Sequence, residues 1–159
     1  MAQIGMKELD SRAWRSFHKI GTRLLPHLNR QVMNHSGITG AEYVLLVALS
    51  ELKAASINLN RLATGLGWEI SRMSHQISRM HENGLVKKTQ SPDDARCFEV
   101  SITSKGRKLA ESAIPRQSKE INHCFSEVLT KQQMESLIEI SEAISSHMRQ
   151  HHSLEKKGK

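Results

Sequence analysis

The sequence predicts a mainly α-helical chain carrying one small β hairpin, and three observations lead there. Apolar residues recur at three- and four-residue steps through several segments, as one face of a helix requires. Capping signatures of the Thr-x-x-Glu/Gln kind stand before two of those segments. After Asn83-Gly84 the apolar period drops from 3.6 to 2 for two short runs and then returns. With 159 residues and 38% apolar side chains, the chain is long enough for one domain with a packed core.

The first helix spans Ser11 to Leu28, with Ala13, Trp14, Phe17, Ile20, Leu24, Leu25 and Leu28 on one side and Ser11 or Asp10 as its cap. Trp14 and Phe17 are expected in the core. Asn34-His-Ser-Gly37 interrupts the pattern, and Thr39-Gly-Ala-Glu42 opens a second, largely buried helix that runs to about Leu52. Asn60 to Leu66 reads as a short helix with an asparagine cap, and Gly67-Trp68 as a tight turn into a helix from Glu69 to Glu82. Gly84 closes that helix. Leu85–Thr89 and Phe98–Ile102 read as strands joined by the turn-prone Ser91-Pro-Asp-Asp-Ala-Arg96, a hairpin with a charged tip. Thr103 caps a long helix through about Leu129, expected to break or bend at Pro115. Thr130-Lys-Gln-Gln133 opens the last helix, whose apolar side carries Met134, Leu137, Ile138, Ile140, Ala143, Ile144 and Met148; residues 153–159 are expected to fray.

The middle of the chain, residues 38–103, is therefore a helix-turn-helix followed by a wing. In such a module the second helix of the pair enters the major groove of DNA and the hairpin reaches a neighbouring groove or the backbone. The flanking helices, 10–33 and 104–150, are too long and too apolar on one side to stand alone, and a second copy of the chain is the commonest way to cover such faces.

Charge points the same way. The formal net charge is +7, with an excess of +3 over residues 1–56, +4 over 57–108 and none beyond, so the basic character belongs to the first two-thirds. Ser71, Arg72, Ser74, His75, Gln76 and Arg79 form the polar side of the 69–82 helix, while Ile70, Met73, Ile77 and Met80 keep the spacing of a buried face. Gln pairs bidentately with adenine, Arg with guanine, and Ser or His reaches phosphate or a base edge. A solvated helix face is the plain alternative, but such faces usually mix in acids and Ile70–Arg79 has none. Lys87, Lys88, Lys105 and Arg107 are divided between phosphate contacts and ordinary solubilising charges.

Other classes fall away. No apolar run approaches the roughly 18 residues of a membrane helix, the first ten residues lack the layout of a secretory signal, and a cytoplasmic location is expected. Two cysteines make no disulfide framework. Neither a G-x-S-x-G, a phosphate-binding glycine loop nor an H-E-x-x-H occurs, so neither an enzyme nor a cofactor is expected. Arg96 can lower the pKa of Cys97, and Cys124 lies beside His123, but inert thiols are the default. His147 and His151 share a helical face near His152, without an acid or cysteine to complete a metal set, so no metal is expected.

Four segments, in order, resemble the multiple-antibiotic-resistance regulator (MarR) family: Ile38-Thr-Gly-Ala-Glu-Tyr-Val-Leu-Leu, Leu62-Ala63, Ile77-Ser-Arg-Met80 with Asn83-Gly-Leu-Val86, and Asp94-Ala-Arg96 followed by Ser101-Ile-Thr-Ser-Lys-Gly106. The resemblance covers roughly residues 10 to 148, with Ala95 where members often carry a second wing arginine. It implies a homodimer with interlocked first and last helices, set on a pseudo-palindromic double-stranded DNA site, and repression relieved by a small molecule or by oxidation. It implies Arg96 as a minor-groove arginine, which Asp94 can orient, against the alternative of a surface ion pair. It further implies an effector cleft bordered by Trp14, His18 and Tyr43. The peroxide-sensing members it resembles have a cysteine near the start of the first helix, and this chain has none. Two rivals stay open: a thiol- or metal-dependent sensor, and a winged protein-interaction module that has lost DNA binding.

Overall fold

The structure, a computed structural model, describes residues 5–91 and 97–157, with side chains through Arg149. In order, the elements are α1 (Glu8–Ser36), α2 (Gly40–Ser50), β1 (Ile57–Asn58), α3 (Leu59–Leu66), α4 (Ile70–Glu82), β2 (Val86–Gln90), β3 (Phe98–Ile102), α5 (Ser104–Cys124), a 3-10 turn (Ser126–Val128) and α6 (Lys131–Lys157). The chain forms two compact units, one through Glu120 and one from Ile121.

The first unit holds the core. Leu45, Leu46 and Leu49 of α2, Leu62 and Ala63 of α3, Met73, Ile77 and Met80 of α4, Leu85 and Val86 at the start of β2, and Val100 of β3 are buried together. Each helix gives that core one stripe, and each strand every second residue, so the polar side of α4 is left outward. The capping box at α2 is present: the Glu42 carboxylate accepts from the Thr39 N–H (2.8 Å) and hydroxyl (2.9 Å), and the Glu42 N–H donates to the Thr39 hydroxyl (3.2 Å). Thr130 and Gln133 cap α6 in the same way.

Several expectations need correction. The first helix is 29 residues, not 18, and starts after Lys7 without a side-chain cap. Its Pro26 is absorbed, and the helix ends only where Gly37 takes φ 67°. The cap of α3 is Asn58, which accepts from the N–H groups of Asn60 and Arg61, rather than Asn60. The hairpin is two strands of a three-stranded antiparallel sheet of order β1-β3-β2, because Ile57 and Asn58 pair with Val100 and Glu99. Two residues are too short to show a period in the sequence. Pro115 does not break α5, which runs through it and stops at Cys124, and α6 continues to Lys157 across the stretch expected to fray.

Trp14 and Phe17 are not core residues. They are 47% and 56% exposed, and Ile20 and Leu25 on the same helix are also exposed. Ile138, Ile140, Ile144 and Met148 of α6 are likewise exposed in the second unit. Among the described residues no helix is long and apolar enough to cross a membrane.

Candidate nucleic-acid interface

The candidate interface is built from α3, the turn after it, α4 and the β2–β3 wing. Gly67, at φ 64°, closes α3, and the Trp68 N–H donates to the Ala63 carbonyl at 2.9 Å, six residues closing on one. The same closure ends α4: Gly84 takes φ 70° and the Leu85 N–H donates to the Met80 carbonyl at 2.9 Å. With both ends set and Met73, Ile77 and Met80 fully buried, the direction of α4 and its rotation about its own axis are determined.

Outward from that helix, Ser71, Arg72, His75 and Arg79 are exposed, and Ser74 and Gln76 are half-buried at its sides. Four of the six residues expected from the sequence therefore share the solvent side of one helix, with Ser74 and Gln76 flanking it. Ile70 does not belong to the buried face: it is 53% exposed, because in the first turn nothing precedes it to cover it. Glu69 caps α4 with its backbone alone and makes no side-chain cap bond, which leaves the early N–H groups at the positive end of the helix dipole. Arg72 lies over the Trp68 ring, 4.3 Å from its centroid. This aromatic partner was missed in the sequence, although the i, i+4 spacing of Trp68 and Arg72 was available as a signal.

The wing is locked to α4. The Lys88 ammonium donates to the Ser78 hydroxyl at 3.2 Å and sits 4.4 Å from the Phe98 ring centroid, since Lys88 pairs with Val100 and Phe98 is the diagonal neighbour on that face. Lys87, on the opposite face, is exposed. The His81 ring Nδ1–H donates to the Val86 carbonyl at 3.1 Å, and Lys105 donates to the Asn83 carbonyl at 2.8 Å. The Thr103 hydroxyl accepts from the Gly106 N–H (3.0 Å) and donates to the Gly84 and Leu85 carbonyls (2.7 and 3.0 Å), joining the end of α4 to the start of α5. Ser91 and Cys97 extend the ladder by one bond. Asp94 and Arg96 lie outside the described residues.

Of the three residues expected around an effector, Trp14 and His18 lie on α1 and Tyr43 on α2. Trp14 and His18 border a shallow, open depression with Arg15, Lys19, Thr22 and Arg23, all on α1, and their rings are 6.3 Å apart. Tyr43 instead packs against the core, and burial, followed by the Glu51 charge, raises its pKa. Cys97 and Cys124 are both half-buried and are not joined in a disulfide. The side chains of His151 and His152 lie outside the described ones.

Comparison with known proteins agrees with this geometry. Residues 38–98 match the model of the MarR family. The chain is 22% identical over 125 residues to the transcriptional repressor MprA of Escherichia coli K12, covering 73% of this chain and 71% of MprA. Among solved structures it is similar to AbsC, a MarR family transcriptional regulator from Streptomyces coelicolor (TM-score 0.84, 25% identity, 92% of this chain and 99% of that one). It is similar also to Sco3205 from the same organism, solved in complex with DNA (TM-score 0.85, 27% identity, 91% of each chain). Residues 38–98 thus match the MarR family, and the chain shares the fold of the MarR family transcriptional regulators AbsC and Sco3205.

Proposed function

We propose that the protein is a repressor that binds a pseudo-palindromic duplex as a homodimer and leaves it when a small-molecule effector binds. The observation that carries the reading is the outer side of α4. Arg72, His75 and Arg79 stand exposed on a helix whose inner side is locked in the core, with no acid between Ile70 and Arg79. Ser71, Ser74 and Gln76 complete the reading helix, Arg96 and Asp94 serve the minor groove from the wing, and Lys87 and Lys88 meet phosphates. The Sco3205 complex with DNA supports this use of the fold.

The exposed apolar side chains of α1 and α6 support the homodimer, because faces of that size and character are normally covered by a partner. Two wings then address half-sites one helical turn apart, about 34–36 Å. An effector acts by binding one separation of the recognition helices more tightly than the other. Promoter DNA is occluded only while both halves dock.

Fluorescence anisotropy on the duplex upstream of the protein's own gene, against a scrambled duplex and across salt concentrations, tests the reading. Specific binding with a log–log salt slope steeper than about −5, as six or more phosphate contacts require, is expected. Equal weak binding to that duplex, the scrambled one and every fragment of a genome-wide selection would overturn it in favour of a module that binds protein.

A further inference from the structure

We infer that Trp68 is a positioning residue: it holds the Arg72 guanidinium in place to read one guanine in each half-site. The inference rests on the DNA-binding reading above and adds to it the base and the device that selects it. Trp68 is anchored twice, by its half-buried ring packed against the core and by its backbone bond to Ala63 at the end of α3. Arg72 is exposed, lies in the first turn of α4, and among the described residues has its contact with that ring, 4.3 Å away, and neither a salt bridge nor a hydrogen bond to a carboxylate.

An arginine on an open helix face samples many rotamers, and fixing it on DNA costs conformational entropy. Held over a ring before binding, it has already lost much of that freedom. Aromatic contact engages the face of the guanidinium, whereas its five N–H donors lie in its plane. Their edge therefore remains free for a bidentate pair with the O6 and N7 acceptors of guanine, which adenine cannot match. The first turn of a recognition helix is also where base edges are met. Sequence position and ring contact coincide in one side chain.

The test starts with duplexes enriched from a random library by the wild-type protein. Selection with Arg72→Ala locates the guanine whose preference disappears, and competition between guanine and adenine duplexes at that position gives a discrimination ratio. Trp68→Leu is expected to lower the ratio about two- to six-fold, the range of an aromatic–cation contact, while Trp68→Tyr keeps it. Arg72→Ala combined with Trp68→Leu should discriminate no less than Arg72→Ala alone. A purely structural role predicts something else: equal losses on both duplexes and no rescue by tyrosine, and either result overturns the inference. So does an Arg72→Ala protein that keeps every guanine preference. A measurement independent of any variant's folding is the NMR spectrum of the wild-type protein, in which Arg72 side-chain resonances should be shifted upfield by the ring current; unshifted resonances overturn the inference. If the wild-type protein enriches no sequence at all, the DNA-binding reading fails together with it, and that outcome is distinct from a loss confined to Trp68.

Discussion

Gly106→Ala should destabilise the protein although it replaces a helical glycine with the best helix former. A Cβ at residue 106 would overlap the Leu85 carbonyl oxygen and stand 3.1 Å from the Leu85 carbonyl carbon and 3.0 Å from Ile102 Cγ1. That carbonyl is backbone, and it already accepts from the Thr103 N–H (3.1 Å) and hydroxyl (3.0 Å), so it cannot swing away without loosening the joint between the wing and α5. Overpacking of this kind costs about 1–3 kcal/mol, and the weakened hydrogen bonds add about 1 kcal/mol each. Removing glycine's backbone freedom returns about 1 kcal/mol. The expected net loss is about 2–4 kcal/mol, a fall in Tm of roughly 4–16 °C for a chain of this size. Thermal and urea unfolding at matched protein concentration measure it, with Gly65→Ala as the control. Gly65 is helical with nothing within 4 Å of an added Cβ, so alanine there should stabilise by about 0.5–1 kcal/mol. A Gly106→Ala protein as stable as the wild type, or one shifted the same way as Gly65→Ala, would refute the close packing of α5 on the wing.

Three further outcomes are expected. Glu42→Ala leaves the Thr39 N–H without its carboxylate and should cost about 1–2 kcal/mol in urea unfolding, whereas Glu42→Gln, which still accepts one bond, should cost less than half of that. Burial, helped by Glu51, raises the Tyr43 pKa above the ordinary phenol value of about 10. Its contribution is therefore fully present below that value and is lost as the pH climbs past it, so Tyr43→Phe should flatten the alkaline fall in stability, and an unchanged slope would contradict the burial. Ile70→Glu replaces an exposed side chain at a helix N-terminus, so stability should change by less than about 1 kcal/mol. DNA affinity should nonetheless fall by about ten-fold or more, because an acid would enter a polyanionic groove; equal affinity would move the interface off the start of α4.

The local elements were legible because each rests on a signal contained within a few residues. Thr39 and Glu42 are three apart, and the box they form is present. Gly84 follows the last turn of α4 and takes the left-handed conformation that such a position needs. The change of period after it placed β3 to the residue, and the 3.6-residue spacing put Ser71, Arg72, His75 and Arg79 on one exposed side of α4. What the sequence by itself determined was the order of the six helices with β2 and β3 and, Ile70 apart, the inward side of α4, since periodicity depends only on neighbours along the chain. The tertiary structure decided matters that depend on distant segments: that Ile57 and Asn58 become a strand by pairing with β3, that Lys88 is drawn to Ser78 and Phe98, and that Tyr43 packs against the core. The apolar stripe of α1 shows the division most clearly. Its spacing announced a surface to be covered, but what covers it is not encoded in the spacing, and Trp14, Phe17, Ile20 and Leu25 are exposed.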